Sequence, residues 1–299
     1  MVVRGMLWVS NAEKTHVDQT PHLRPRIAIL CHADETLNRH GLTAWLNSWA
    51  DLVGVVAIRE DGRRARQRIR REIRRVGWCR FLDVVAFRIY AKFAQNATDQ
   101  AWEARQLGEL QRRYGELPDT IPVLETASPN SPEAQAFLLS AQPDLMIARC
   151  KTLLAERIFS IPPYGTFVMH PGICPRYRNA HGVFWALAND DATHAGMTLL
   201  RIDCDIDTGP VFGYFRCEMD PLRESHIVLQ HRTVFDNLPA IESRLKQILA
   251  GTALPLETQG EPSKEWGQPW LTAYLRYRQR EAKRRRESTA ALTPFITHP

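Results

Sequence analysis

The chain has 299 residues, 44% of them hydrophobic and 24% charged, so it has the composition of an ordinary folded protein and the length to bury a large core. No apolar run approaches the roughly 18 residues of a membrane span, and Met6-Leu7-Trp8-Val9 is too short for the apolar centre of a secretory leader. The net charge of +6 is concentrated in two basic runs, 63–75 and 276–286, which read either as local attractors of phosphate-bearing partners and anionic membrane surfaces or as solvated helix faces.

The first residues, 1–24, read as a loosely ordered tail. Arg26 to His32 is a short apolar run ahead of polar residues, as expected of the first buried strand of a parallel sheet. Leu42, Trp45, Leu46 and Trp49 keep helical spacing, and Leu52 to Ile58 reads as a second strand. Strand, helix, strand opens an α/β sheet with right-handed crossovers. A helical insertion, about 61–117, interrupts that rhythm. Its first part has Ala65, Ile69, Ile73 and Val76 as an apolar stripe, with Ile69 and Ile73 expected to be buried. Its second has Phe81, Leu82, Val85, Ile89 and Phe93 on a broader apolar side, expected to face the core or a partner chain; docking of Trp78, Phe81 and the arginines on a membrane surface is the alternative.

The sheet resumes with Ile121 to Leu124. Ser131-Pro132-Glu133 has the N-cap, N1-proline and early acid of a helix start. Pro143 to Arg149 reads as another buried strand, and a third apolar run, Gly165 to Met169, ends on His170-Pro171. After a Gly- and Pro-bearing loop come a helix at Val183 to Asn189 and strands at 196–203 and 210–215. Beyond them, Val234, Leu238, Ile241, Leu245 and Ile248 form an amphipathic helix that Pro239 kinks or splits. A tail with a Trp266-Gly267-Gln268-Pro269-Trp270 anchor then ends in a basic helix. The expected organisation is an α/β domain at 25–217, with a Rossmann-like, mostly parallel sheet and the helical insertion, followed by a helical C-terminal extension at 218–299.

The six cysteines are scattered, with no CxxC pair and no His/Cys set at zinc spacing. They read as reduced, packed thiols in a cytoplasmic protein, with no metal site expected.

The stretch His170-Pro171-Gly172-Ile173-Cys174-Pro175, with Gly182 and then Asp207-Thr208-Gly209, resembles the core of the 10-formyltetrahydrofolate-dependent formyltransferases. Asp207 follows His170 by 37 residues, close to the family spacing. The family uses an Asn, a His and a later Asp; His170 and Asp207 match, whereas Val168 stands at the Asn position. The resemblance implies catalytic roles for His170 and Asp207, contacts of Ala148, Arg149, Cys150 and Asp203 with the formyl donor 10-formyltetrahydrofolate, and an amine on a small molecule as acceptor. The loop Pro175-Arg176-Tyr177-Arg178 with His181-Gly182 is most similar to the sugar N-formyltransferase branch, which implies a nucleotide-linked amino sugar contacted by Arg176, Tyr177, Arg178, Asn179 and His181. Solvated loop arginines and a structural His181 remain the plainer alternatives. The residues after Arg216 read as mostly helical, unlike the β-rich C-terminal domain of methionyl-tRNA formyltransferases.

Formyl transfer to an amine needs a group to meet the charge that builds on the formyl oxygen and groups to move two protons. A histidine does either, and a carboxylate orients it; the Val168 side chain donates no hydrogen bond. Two rival readings stay open. One is a paralogue without catalysis that binds a folate or a nucleotide. The other is a nucleic-acid or anionic-surface binder using the arginine runs, against which stands the lack of a nucleic-acid motif. A homodimer is a further open alternative.

Overall fold

The computed structural model describes residues 24–59 and 62–292. The tail expected over 1–24 lies, Arg24 apart, outside the described residues. The elements run β1 (Arg26–His32), a helical lead-in (Leu37–Leu42) continuous with α1 (Thr43–Trp49), β2 (Asp51–Ile58), α2 (Gly62–Ala94), α3 (Asn96–Tyr114), β3 (Val123–Thr126), α4 (Pro132–Ala141), β4 (Leu145–Arg149) and α5 (Glu156–Phe159). They continue with β5 (Thr166–His170), β6 (Arg178–Asn179), α6 (Gly182–Ala188), β7 (Met197–Arg201), β8 (Val211–Phe215), α7 (His226–Phe235), α8 (Leu238–Leu249), β9 (Glu265–Trp266) and α9 (Leu271–Leu292).

Seven strands form one sheet in the order β3-β2-β1-β4-β5-β7-β8. Neighbours are parallel from β3 to β5, and β7 and β8 join antiparallel. This is the mostly parallel, Rossmann-like α/β sheet expected from the sequence. The central strands are apolar on both faces because helices cover both. Ile27, Ile29, Ile147, Phe167 and Met169 pack beneath α1, α3, α7 and α8. On the other face Ala28, Leu30 and Met146 pack against Ala134 and Leu138 of α4. The helix starts follow capping chemistry: Ser131 accepts the Ala134 N–H with Pro132 at the first turn, and Ser225 accepts the N–H groups of Ile227 and Val228. Pro239 falls in the first turn of α8, where it needs no N–H, so the expected long helix is split ahead of it.

Two expectations for the insertion are corrected. Helix α2 is broken at Gly77, whose φ of 78° only glycine adopts readily. In its first half Ile69 is 41% exposed and Ile73 is half-buried. In its second half Val84 and Phe87 are buried while Leu82, Ile89 and Phe93 are exposed, so of the alternatives for that broader apolar side the core is excluded and a partner chain or a membrane surface stays open. Phe87 joins an aromatic cluster with Phe184 of α6 and Tyr274 and Tyr277 of α9. This cluster clamps the C-terminal helix onto the insertion.

Candidate active site

The strand order reverses between β2 and β4 on either side of β1, and ligands of open α/β sheets gather outside the carboxyl ends of the strands at such a point. His170 is the last residue of β5 and stands at that edge, 5% exposed. Its Nδ1 lies 3.4 Å from Asp207 Oδ2, and its Nε2–H donates to the Tyr177 carbonyl at 2.8 Å. Burial alone would push the imidazole pKa down. The Asp207 carboxylate, with help from Cys174 and the Tyr177 carbonyl, overrides it and raises the pKa to about 10. His170 is therefore an imidazolium at neutral pH, with both ring nitrogens engaged.

Asp207 occupies a left-handed turn, φ 51°, between β7 and β8. Its Oδ2 also accepts the Asn179 N–H at 2.7 Å, which ties the turn to the loop after β5. Gly209 permits the turn, since a Cβ there would sit 1.9 Å from the Arg201 carbonyl oxygen. The loop itself folds back so that Gly172 and Gly182 touch: a Cβ on Gly182 would lie 2.5 Å from the Gly172 Cα. Its far side is latched by the C-terminal segment. Arg178 N–H donates to the Lys264 carbonyl and the Asn179 side-chain amide to the Trp266 carbonyl, at 3.1 and 2.6 Å, within the two-residue β6–β9 pairing.

The structure brings His170, Asp207, Tyr177, Arg178 and Asn179 together. Tyr177 is buried, stacks on Trp266, and donates its hydroxyl to Asp191 at 2.9 Å; burial and Asp191 raise its pKa to about 12. The Arg178 guanidinium donates to the Ile206 carbonyl at 2.7 Å and to Ser263 at 3.0 Å, so it holds the loop. Arg176 lies 3.9 Å from Asp191 and from Glu261. His181 lies against His226 and Gln230, and burial lowers its pKa to about 4.

The folate-side residues divide. Ala148 pairs with Val168, and both lie on the sheet face that carries His170; Val168 packs against Cys174, Leu200 and Val211. Cys150 shares that face by strand alternation. Arg149 points to the opposite face, where its guanidinium donates to Asn38 Oδ1 at 3.3 Å and to the Met169 carbonyl. Burial lowers its pKa. Asp203 closes its own turn by accepting from Thr208 at 2.8 Å and from the Asp205 N–H at 3.2 Å.

The sequence reading missed what surrounds Arg149. At the ends of β1 and β4, Lys151 Nζ meets Glu35 at 2.8 Å, Asn38 donates to the other Glu35 oxygen at 2.6 Å, and His32 Nε2 accepts the Lys151 N–H at 3.0 Å. Burial would raise the Glu35 pKa, but Lys151 and Arg149 pull it down. The available signal was His32 at a strand end with an acid three residues on, opposite Arg149-Cys150-Lys151. No group of three or more His, Cys, Asp or Glu residues poised to hold a metal occurs among the described residues.

The fold and this edge define an open α/β-sheet protein whose charged, strand-end groups are grouped where such sheets take small ligands. Residues 90–243, from the end of α2 into α8, match the formyl transferase family, and the chain belongs to that family. It is 37% identical over 93 residues to a methionyl-tRNA formyltransferase of Dehalococcoides mccartyi, covering 31% of this chain and 30% of that protein. It is 28% identical over 177 residues to the methionyl-tRNA formyltransferase of Thermus thermophilus, covering 56% and 57%. The alignments thus span less than two thirds of either relative. A solved phosphoribosylglycinamide formyltransferase from Anaplasma phagocytophilum superposes with a TM-score of 0.49 at 13% identity, covering 80% of this chain and 96% of that one.

Proposed function

We propose that this protein transfers a formyl group from 10-formyltetrahydrofolate to an amine of a small molecule, with a nucleotide-linked amino sugar as the acceptor class. The observation that carries the reading is the His170–Asp207 ion pair at the carboxyl end of β5, inside the family match. When bound, 10-formyltetrahydrofolate supplies an activated formyl group. The residues present fit it in kind: Ala148, Val168 and Cys150 give an apolar wall for a flat ring beside His170, and the turn of Asp203 flanks the histidine's other side, since β7 pairs with β5.

In this scheme the His170 imidazolium places a positive charge where the formyl oxygen gains negative charge, and Asp207 keeps the ring charged and oriented. With a pKa near 10 the ring is a poor base at neutral pH, so its part is electrostatic support and proton donation from Nε2. To reach a ligand, the Nε2–H must leave the Tyr177 carbonyl. Val168 supplies no amide to share the oxyanion, and one missing donor typically costs about 10²–10³ in rate. Native turnover is accordingly slow, and Val168→Asn raises it by up to that factor.

A second reading rests on the same histidine: both of its nitrogens are satisfied within the chain, which suits a protein that keeps the site architecture to bind a folate or nucleotide without turnover. One experiment separates the two. Formyl transfer to a panel of nucleotide-linked amino sugars is measured for the native protein and Val168→Asn, alongside reduced-folate binding by calorimetry. Transfer that rises in the variant supports the enzyme. Folate binding without transfer in either protein supports the binding reading. Neither transfer nor binding refutes both.

A further inference from the structure

The second half of α2 carries apolar side chains on two opposite faces. The inward face buries Val84 and packs Phe87 against the aromatic cluster, Asp83 accepts from the Thr272 N–H and hydroxyl at the start of α9, and the Arg80 guanidinium lies 4.3 Å over the Trp270 ring. The outward face carries Trp78, Leu82, Ile89 and Phe93, exposed to 67, 64, 54 and 84%. Steps of four, seven and four residues align these four on one stripe. A surface helix ordinarily turns polar residues outward, and a contiguous apolar face of this kind marks an interaction site. All but the last turn of this face precedes residue 90, where the family match begins.

Charge selects the occupant. Arg88 and Lys92 stand exposed beside the stripe, and Arg71 and Arg74 are exposed on the preceding half of the helix. The only acids on 69–94 are Glu72 and Asp83, and both are engaged: Glu72 pairs with Arg75 at 2.7 Å, and Asp83 with Thr272 and Arg80. A second copy of this chain, paired antiparallel about a two-fold axis at the middle of the stripe, would set Arg88 opposite position 83 and Lys92 opposite position 79 of its mate, where the one acid, Asp83, is already engaged by Thr272 and Arg80 and no free carboxylate meets the two cations. Nucleic acid supplies phosphate but no apolar phase for a stripe of this length, 16 residues or about 24 Å. A bilayer surface with anionic headgroups supplies both. No helix among the described residues is long and apolar enough to cross a membrane, so the contact is one of lying on the surface.

We infer that the outward face of α2 docks on an anionic lipid bilayer, with Trp78, Leu82, Ile89 and Phe93 seated at the boundary of headgroups and acyl chains and Arg88 and Lys92 reaching lipid phosphates. The test is co-sedimentation of the full chain with vesicles of phosphatidylcholine alone and of phosphatidylcholine mixed with phosphatidylglycerol. The protein pellets with the anionic vesicles, less so as salt rises, and stays in solution with the neutral ones. Arg88→Gln and Lys92→Gln each weaken binding about fivefold. Leu82→Ser with Phe93→Ser abolishes pelleting and, because both side chains are exposed, leaves thermal melting unchanged. Failure to pellet with anionic vesicles overturns the inference, as does pelleting that survives the double serine variant. A dimer in analytical ultracentrifugation that dissociates in that variant, without lipid binding, assigns the face to a second copy instead. RNA binding lost in that variant, again without lipid binding, assigns it to nucleic acid.

Discussion

Asp207→Asn isolates the charge that holds His170 protonated, because the new amide oxygen still accepts the Asn179 N–H that now reaches Oδ2. In the native protein the folded histidine titrates near 10 and the unfolded one near 6.5. A folded pKa above the unfolded value gives stabilisation that is fully present below pH 6.5 and is lost as pH rises toward 10. Integrating the proton difference from pH 7 to pH 9 gives a loss of about 2.5 kcal/mol from this one group. In Asp207→Asn burial acts against only Cys174 and the Tyr177 carbonyl; we expect burial to prevail and the histidine to be neutral at both pH values. That part of the alkaline loss then disappears. The thiols of Cys31 and Cys217, raised by burial to about 12 and about 11, add an alkaline loss of their own that is common to both proteins and cancels in the comparison. Urea unfolding at pH 7 and pH 9 measures the difference. Equal losses in the two proteins would refute the claim that Asp207 keeps His170 charged.

On the acid side the sign reverses. Burial, reinforced by nearby cations, lowers His181 and His231 to about 4, and burial also lowers His226. The stability these rings contribute is present above pH 6.5 and is lost as pH falls toward 4, so His231→Gln reduces the loss between pH 6.5 and pH 5 by about 2 kcal/mol in urea melts; an unchanged slope would contradict the assignment of a neutral His231. Gly182→Ala forces a Cβ to within 2.5–2.9 Å of Gly172 Cα, the Pro171 carbonyl and the Tyr177 carbonyl. We expect a destabilisation of about 1–3 kcal/mol, and a shift of the His170 ring resonances in NMR because the Tyr177 carbonyl is its partner; a silent substitution would show that the loop closes less tightly.

The sheet was legible because β1, β2, β4 and β5 are buried on both faces and so read as unbroken apolar runs, a pattern that depends on no distant partner. His170 and Asp207 were legible for a related reason: each follows such a run, so the sheet brings both to one edge. The direction of the Arg149 side chain was not legible from the segment 148–150 alone. Strand alternation sends its side chain away from Ala148 and Cys150, and the Glu35–Asn38–Lys151 partners that receive it come from two strand ends over 100 residues apart in the chain. Helix α2 defeated the periodicity argument because it is apolar on two sides. Which side turns inward is decided by Phe184 and Tyr274, far along the chain, and no local pattern records that. The β6–β9 pairing is two residues long and leaves no periodic trace.

That short pairing sets an order of events during synthesis. Residues 175–179 take their outer backbone partners from 264–266: Lys264 N–H donates to the Pro175 carbonyl, Trp266 Nε1–H to the Arg176 carbonyl, and the Lys264 carbonyl accepts from Arg178. A ribosome adding about 5–20 residues per second needs about 4–17 s to pass from residue 179 to residue 266. Throughout that interval all seven sheet strands are, or become, available to pair, and the loop can reach His170, Ile206 and Asp207, but its outer side still lacks the latch from 264–266. The strands of the sheet are therefore all synthesised before the segment that latches the outer side of the ligand-facing loop.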